Sequence, residues 1–405
     1  MTNSLKKAFF PTLDGYRALA AMAVLVLHAS VVSGFIFRNH AVGQYLVNLD
    51  VGVSVFFLIS GLLLYRPFVL ARLNGHARPS LKYYFVGRFL RIYPAYWVAL
   101  IAVIWIFEQP GPKHQINSVG EFVAYFSLFQ QYFAKTAYGG IQQAWVLCVE
   151  VSFYIFLPLW AFLLRELTRK TKNIVVMELI GLAVLFAIGI AYRMLVLSFD
   201  PGNAVEISWL PAFFDQFALG MLLAVMSAGR EAGKTRITWG EIAGRHPWAC
   251  WAIAALCFWG VSTQISLPVG YTGLNPSQRL AWSFGYGITA LFFLLPAVFG
   301  DQDKSLIRRL LRHPVLVFVG VVSFGVYLWN GLFFDRFFIS TSSTPFDPGA
   351  NIFAVLIFAG SLSLVAAVLS WSLIEKPVMK LREYWTPGAP SDDAVPLDRR
   401  SLDER

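Results

Sequence analysis

The chain has 405 residues, of which 57% are hydrophobic and only 14% are charged, and its formal net charge is +10. Soluble globular domains contain about 45–50% apolar and about 25% charged residues. The composition therefore excludes the two or three soluble domains that the length alone would suggest. It is typical of a chain that lies mostly in a lipid bilayer.

Ten apolar blocks are long enough to cross a membrane, since a spanning helix needs about 20 mostly apolar residues. The runs are continuous rather than alternating, so they predict helices and not barrel strands. The sequence thus predicts an all-α integral membrane protein with about ten transmembrane helices. The blocks are 13–35, 50–72, 88–108, 144–164, 174–198, 206–228, 247–264, 280–299, 314–338 and 350–374. The block at 247–264 is the weakest because it is short, and the apolar stretch 120–133 is interpreted as an interfacial or re-entrant piece.

The positive charges predict the orientation, because lysine and arginine concentrate in cytoplasmic loops. With the N-terminus in the cytoplasm, the inside segments hold 26 of the 33 Lys and Arg residues, the outside segments hold 6, and Arg17 lies within the first block. This asymmetry predicts that both termini are cytoplasmic. The net charge is then a consequence of topology and does not indicate a nucleic-acid partner.

The cysteines bear on disulfides and metal sites, and the C-terminal segment bears on the domain limits. The three cysteines, Cys148, Cys250 and Cys257, lie in predicted helices and form no CxxC pair. This pattern argues against a disulfide framework and a thiolate metal site, and no metal is predicted. Residues 1–385 are predicted to form one transmembrane domain, and the polar segment 386–405 is predicted to be a disordered cytoplasmic tail.

Ionisable side chains inside a bilayer are costly, and each is a candidate for function. The first block carries Asp14, Arg17 and His28. Asp14 and Arg17 are spaced i, i+3 and can pair, whereas Arg17 and His28 are separated by three helical turns, roughly 16 Å along one face. This stripe of the first helix must face protein or water.

Two other polar residues reach similar depths. At 1.5 Å per residue, His28 lies roughly 22 Å from the cytoplasmic start of its helix, and Glu150 and Asn330 lie about 8 Å and about 6 Å from the outer ends of theirs. These depths predict an outer-half cavity shared by His28, Glu150 and Asn330. At the cytoplasmic mouth, a cluster of cations suits a polyphosphate anion. Its members are Arg66, Lys82, Arg88 and Arg91.

Six stretches, in order, carry a family resemblance. They are LDGYRALAAMAVLVLHA (13–29), VGVSVFFLISGLLL (51–64), GRFLRIYPAYW (87–97), AWVLCVEVSFYIFLPL (144–159), SFGVYLWN (323–330) and SLIEKP (372–377). On these stretches the chain resembles the membrane acyltransferase-3 family of bacterial O-acyltransferases. The resemblance implies a ten-helix protein of the bacterial cytoplasmic (inner) membrane. It also implies transfer of an acyl group from cytoplasmic acyl-CoA, first of all acetyl-CoA, to a hydroxyl of an envelope polysaccharide or glycolipid.

The family motifs map onto particular residues. The Arg-x10-His pattern maps to Arg17 and His28, the RxxR pattern to Arg88 and Arg91, and the SVE-type glutamate to Glu150. The phenylalanine-rich motif maps to residues 56–61. The chain departs from common family patterns at Ser54, Val151 and Asn330, where many members have Asp, an acidic residue and His.

Together these residues suggest a mechanism. Acyl transfer to an alcohol needs a base, and histidine titrates near working pH. We expect His28 to be the general base or, alternatively, a transient acyl carrier. Glu150 is expected to orient it or to bind the acceptor, and Arg17 completes the predicted catalytic group. We expect Arg17, Arg66, Arg88 and Arg91 to hold the phosphates of CoA. The predicted substrate-binding residues are Asp14, Ser60 and Asn330.

Other interpretations stay open at this point. Arg88 and Arg91 also fit positive-inside anchoring on anionic lipid headgroups, and Ser60 with Gly61 also fits close helix packing. A macrolide-type metabolite is an alternative acceptor. A proton-coupled secondary transporter would also bury ionisable residues, although no internal repeat of the kind common in transporters is evident. A non-catalytic envelope-assembly scaffold is a third class.

Overall fold

The computed structural model describes residues 10–107, 115–200, 202–235, 238–265, 275–300, 305–341 and 351–385, and the elements within these ranges are helices without a strand. The all-α prediction is confirmed. The predicted disordered tail, 386–405, lies outside the described residues, and its boundary stays a prediction.

Nine segments within the described ranges are long and apolar enough to span a membrane. They are Leu13–Val32, His40–Leu73, Leu81–Ile106, Gln142–Leu167, Ile174–Phe199, Leu210–Glu231, Pro276–Val298, Pro314–Phe338 and Ile352–Leu381. The weakest predicted block forms a helix at Pro247–Gln264 but is not among the nine. Nine of the ten predicted spans are therefore found as spanning segments, and the tenth is a shorter helix. Which side faces the cytoplasm stays a prediction.

The helices are numbered in chain order. The long ones are α1 (Leu13–Val32), α4 (Val51–Leu73), α5 (Leu81–Ile101), α7 (Trp145–Leu167), α8 (Ile174–Phe199), α9 (Phe214–Glu231), α11 (Pro247–Gln264), α12 (Pro276–Val298) and α14 (Pro314–Thr341). The short ones are α2 (Phe35–Arg38), α3 (His40–Leu46), α6 (Val119–Phe126), α10 (Thr238–Arg245), α13 (Leu306–Leu311), α15 (Ile352–Val355), α16 (Ser361–Ser370) and α17 (Lys376–Trp385). We call the side of the bundle where α1 begins the proximal side, and the side where α1 ends the distal side.

The stretch predicted to be interfacial or re-entrant overlaps α6, a helix of only eight residues. The side chains of Tyr93, Tyr96 and Trp97 on α5 donate hydrogen bonds of 2.8–2.9 Å to three consecutive carbonyls, those of residues 125–127. The last carbonyls of a helix have no partner within it, and here α5 supplies the donors. The segment is thereby held against α5 on the distal side without crossing the bundle.

Close packing of α4 on α9 forms the centre of the core. A Cβ atom added to Gly61 would lie 2.6 Å from the carbonyl oxygen of Phe217, and one added to Gly220 would lie 2.7 Å from the Cα of Leu58. Small residues allow such an approach of two backbones in a membrane. The ring of Phe217 also stacks on that of Phe153, with centroids 3.8 Å apart, and so joins α7 to the same core.

Buried ion pairs fasten the neighbouring helices. The guanidinium of Arg193 on α8 makes two 3.1 Å hydrogen bonds to the carboxylate of Asp215 on α9, and both side chains are at most 5% exposed. Nearer the proximal side, Glu178 on α8 accepts hydrogen bonds from Tyr65 and, at 2.6 Å, from Arg72, both on α4. A charge buried in hydrocarbon needs such a partner, so these pairs fix which faces of the helices meet.

The contact between α4 and α9 gives a stability prediction. Gly220→Ala forces the added methyl group into the backbone of α4, and overpacking of this kind costs about 1–3 kcal/mol. We expect a lower thermal denaturation midpoint for the purified protein in detergent. Gly260→Ala on α11 is the matched control, because a Cβ atom there meets nothing within 4 Å. Equal midpoints for the two variants would contradict the assignment of Gly220 to a tight helix contact.

Candidate active site

A cavity of about 100 Å³ lies between α1, α4, α5, α7 and α14. Three arginines, a glutamate and hydroxyl groups line part of it, and aliphatic and phenylalanine side chains line the rest. The polar lining residues are Arg17, Ser60, Arg88, Arg91, Glu150, Tyr154, Ser323 and Tyr327. The five helices thus bring residues from five of the six family stretches to one place.

The cationic part of the cavity is formed by Arg17 on α1 with Arg88 and Arg91 on α5. The two α5 residues are spaced i, i+3 and therefore point to the same side of their helix. Arg17 forms the predicted ion pair with Asp14, at 3.1 Å, and both side chains are nearly buried. The Nε of Arg88 is buried and has no hydrogen-bond partner among the described residues. Since buried donors are nearly always paired, this group is available to a ligand.

Glu150 lies among the same arginines. Its Oε1 accepts a 2.9 Å hydrogen bond from the hydroxyl of Ser60 on α4, and the hydroxyl of Tyr154 lies 3.4 Å from its Oε2. Arg17 and Arg91 line the same cavity as this carboxyl group. When it is ionised, its negative charge offsets part of the repulsion between the guanidinium groups.

His28 lies beyond the cavity, toward the distal side. Its Nδ1 is 3.1 Å from the Oδ1 of Asn330 on α14. The amide nitrogen of Asn330 donates to the carbonyls of Val326 at 3.1 Å and Tyr327 at 2.9 Å, which fixes the amide with its oxygen toward His28. An amide oxygen only accepts, so Nδ1 of His28 must carry the proton. The Nε2 atom is left with its lone pair, as a base requires.

A layer formed by Tyr327 and Gln143 separates the cavity from His28. On α1 the lining ends at Val24, one turn before His28, and on α14 it ends at Tyr327, one turn before Asn330. The Tyr327 hydroxyl donates to the carbonyl of Gln143, and the Gln143 side chain approaches Asn330 Oδ1 at 3.5 Å. His28 and Asn330 therefore lie about one helical turn beyond the end of the arginine-lined cavity.

Two of the residues predicted for the site, Glu150 and Arg66, lie in other surroundings than expected. His28 and Asn330 are together as predicted, but Glu150 lies with the arginines and makes no hydrogen bond to His28, because Ser60 and Tyr154 occupy its oxygens. Arg66 is absent from the cavity lining; it pairs with Glu231 and donates to Ser227 of α9 at 2.9 Å.

The other residues predicted to bind substrate or to line the cytoplasmic mouth also lie in surroundings that differ from the prediction. Asp14 supports Arg17 and does not line the cavity, and Lys82 is exposed outside it. Asn330 is 1% exposed and is engaged by His28 and by two backbone carbonyls. Of the three predicted substrate-binding residues, only Ser60 lines the cavity.

Sequence reasoning missed Tyr154, Tyr327 and Gln143. Tyr154 follows Glu150 by one helical turn and Tyr327 precedes Asn330 by one turn, so neighbourhood on the helix could have indicated both. Gln143 carries no such signal, since it precedes α7. Glu375 is a further buried carboxylate; it accepts a 3.2 Å hydrogen bond from Ser370, and the charge of Arg91 acts on it.

No three His, Cys, Asp or Glu side chains in the described part of the chain are grouped so that they could hold a metal ion. That the protein works without a metal stays a prediction. The three cysteines are free thiols.

Two curated proteins align with most of the chain. The chain is 24% identical over 394 residues to the peptidoglycan O-acetyltransferase OatA of Listeria monocytogenes, and 22% identical over 386 residues to the O-acetyltransferase OatA of Staphylococcus aureus. These alignments cover 94% and 92% of the chain but only 57% of each relative, so the chain spans less than two thirds of their length. No solved structure matches the chain.

The family comparison covers the whole site. The model of the acyltransferase-3 family, described as an acyltransferase domain, matches residues 10–374. This range contains the arginine-lined cavity, His28 and Asn330. The chain belongs to this family of membrane acyltransferases.

Proposed function

We propose that the protein transfers an acetyl or other short acyl group from acyl-CoA to a hydroxyl of an envelope polysaccharide or glycolipid. The observation that carries the proposal is the His28–Asn330 contact, which leaves Nε2 as a base one helical turn beyond an arginine-lined cavity. The names of the two relatives, both O-acetyltransferases and one of peptidoglycan, favour acetyl as the group and an envelope glycan as the acceptor.

The arginines are the proposed site for the phosphates of the donor. Guanidinium groups match phosphate oxygens with two donors each, and Arg88 has a buried donor without a partner among the described residues. The apolar wall beyond them, which includes Val24, Leu147 and Phe324, suits the pantetheine arm. The thioester is then directed toward His28. Because the cavity ends at Tyr327, the thioester reaches His28 only when the Tyr327 side chain moves to another rotamer.

The proposed reaction needs one base. His28 Nε2 takes the proton of the acceptor hydroxyl as that oxygen attacks the carbonyl carbon of the thioester. The C–O bond of the ester forms, the C–S bond breaks, and the CoA thiolate leaves with the proton that His28 returns. Asn330 acts as a positioning residue, since its oxygen holds the Nδ1 proton through both steps. Glu150 and Asp14 are assigned to positioning of the arginines rather than to proton transfer.

The first prediction concerns His28. His28→Ala removes the base, and general-base catalysis contributes about 10²–10⁴-fold. We expect the purified protein in lipid nanodiscs to transfer radiolabel from acetyl-CoA to an envelope glycan fraction, and the variant to lose this transfer by at least 100-fold. His40→Ala is the matched control, because His40 is an exposed histidine beyond the same end of α1. Equal transfer by wild type and His28→Ala would exclude His28 as the base.

Proton-coupled flux across the membrane without consumption of acetyl-CoA would favour a transporter over an acyltransferase.

A second prediction separates positioning from binding. Asn330→Leu removes the acceptor of the Nδ1 proton, a hydrogen bond to a group that becomes charged, worth about 1.5–3 kcal/mol. We expect kcat to fall roughly 10- to 100-fold while the KM for acyl-CoA stays unchanged. A raised KM with normal kcat would show that Asn330 binds the donor instead.

The third prediction has the opposite kinetic signature. Arg88→Gln removes a guanidinium from the proposed phosphate site, and we expect the KM for acyl-CoA to rise roughly 10- to 100-fold, the equivalent of one charge-assisted hydrogen bond. Lys82→Gln is the control, since Lys82 is exposed and outside the cavity. If both variants raise the KM equally, general attraction by the positive surface explains donor binding and the cavity assignment fails.

A further inference from the structure

A second cavity, of about 520 Å³, opens on the proximal side, away from the site described above. It lies between the end of α9, the α10 helix, the start of α11, the end of α12 and α13. Its lining consists of Arg230, Glu241, Gly244, Arg245, Pro247, Gly300, Ser305 and Arg308. None of these residues takes part in the proposed reaction.

The buried side chain of Arg308 forms the floor of this cavity. Arg308 is 2% exposed, and its guanidinium donates to the carbonyls of Pro296 at 3.1 Å, Gly244 at 3.1 Å and Phe299 at 2.7 Å. These carbonyls belong to the ends of α10 and α12, where they have no partner within their helix. One buried side chain therefore ties three helices together and fixes the shape of the cavity.

The wall of the cavity is positively charged. Arg230 and Arg245 are exposed, and neither side chain forms an ion pair within the ranges that the structure describes. Glu241 is the one carboxylate that lines the cavity among the described residues. The two exposed guanidinium groups can thus bind an anion, and the carboxylate can accept a hydrogen bond from a hydroxyl on the same ligand.

Large apolar side chains close in sequence to the cavity residues are left exposed. Ile242 is 57% exposed, Trp248 65%, Leu306 82% and Leu310 62%. Three of them are sequence neighbours of cavity residues, namely Glu241, Pro247 and Ser305. Exposed apolar groups beside arginines at the end of a helical bundle mark the level of the lipid headgroups, where tryptophan is enriched. A soluble anion would make no favourable contact with these four apolar side chains, whereas the acyl chains of a lipid would.

We propose that this cavity is a binding site for one anionic phospholipid with a hydroxylated headgroup, such as phosphatidylglycerol. The phosphate lies between Arg230 and Arg245, a headgroup hydroxyl donates to Glu241, and the acyl chains run along Trp248, Leu306 and Leu310. Basic pockets between transmembrane helices bind anionic headgroups in this way. The site is independent of the proposed acyl transfer.

The test uses the full chain in nanodiscs of phosphatidylcholine with increasing fractions of phosphatidylglycerol. The readouts are the phosphatidylglycerol molecules retained in native mass spectrometry and the thermal denaturation midpoint. The variant Arg230→Gln/Arg245→Gln is compared with Arg165→Gln/Arg169→Gln, which removes two exposed arginines, one in the last turn of α7 and one just beyond it on the proximal side. At about 1 kcal/mol per arginine, we expect the cavity variant to bind the lipid roughly 30-fold more weakly. The control should keep the affinity of wild type.

Two results would overturn the proposal. Equal loss or equal retention of phosphatidylglycerol in both double variants would show that the cavity adds nothing to the general positive charge of this surface. Equal stabilisation by pyrophosphate in pure phosphatidylcholine nanodiscs would show that the cavity takes a soluble anion and not a lipid. Selective loss in the cavity variant, with no effect of pyrophosphate, supports the lipid site.

Discussion

The packing of α1 against α14 is the contact on which the rest of the site depends. At its proximal end the two backbones touch, since a Cβ atom added to Gly320 would lie 2.6 Å from the carbonyl carbon of Asp14. At its distal end the same pair of helices joins His28 to Asn330. One helix carries an arginine and a histidine about three turns apart, and the other keeps the histidine in a single tautomer. Neither helix alone would give this arrangement.

Charges within the bundle fall into two groups that differ in how they are satisfied. Arg193 with Asp215, and Arg72 with Glu178, are buried pairs whose donors and acceptors meet across helix contacts. Such pairs fix which helix faces which, because an unpaired charge in hydrocarbon is costly. Arg88 is different, since its Nε is buried without a partner in the described part of the chain. Arg193 and Arg72 thus stabilise helix contacts, whereas the Nε of Arg88 has no such role within the described residues.

Sequence alone could predict what depends on one helix at a time. Block length gives the spanning segments, and spacing gives the Asp14–Arg17 pair and the common direction of Arg88 and Arg91. It could not predict which side chains form hydrogen bonds across distant segments. Depth along the helices indicated that His28 and Asn330, 302 positions apart, share a level, but nothing indicated that Arg66 pairs with Glu231, 165 positions away.

Glu150 shows the limit of depth estimates in particular. A rise of 1.5 Å per residue gives height along the helix, but it does not say which way the side chain points. Helix α7 turns Glu150 toward Ser60 of α4 and the arginines, so a residue of suitable height stands on the other side of the Tyr327 layer from His28. Height and direction both have to be known before two residues can be assigned to one cavity.

The layer of Tyr327 and Gln143 has a consequence for the membrane as a whole. The arginines and Glu150 lie on one side of it and His28 lies on the other. Tyr327 stands between them, with its hydroxyl bound to the carbonyl of Gln143. Two sets of polar side chains are thus accommodated at different depths without requiring a continuous water-filled passage between them, and such a passage would let protons leak across the membrane.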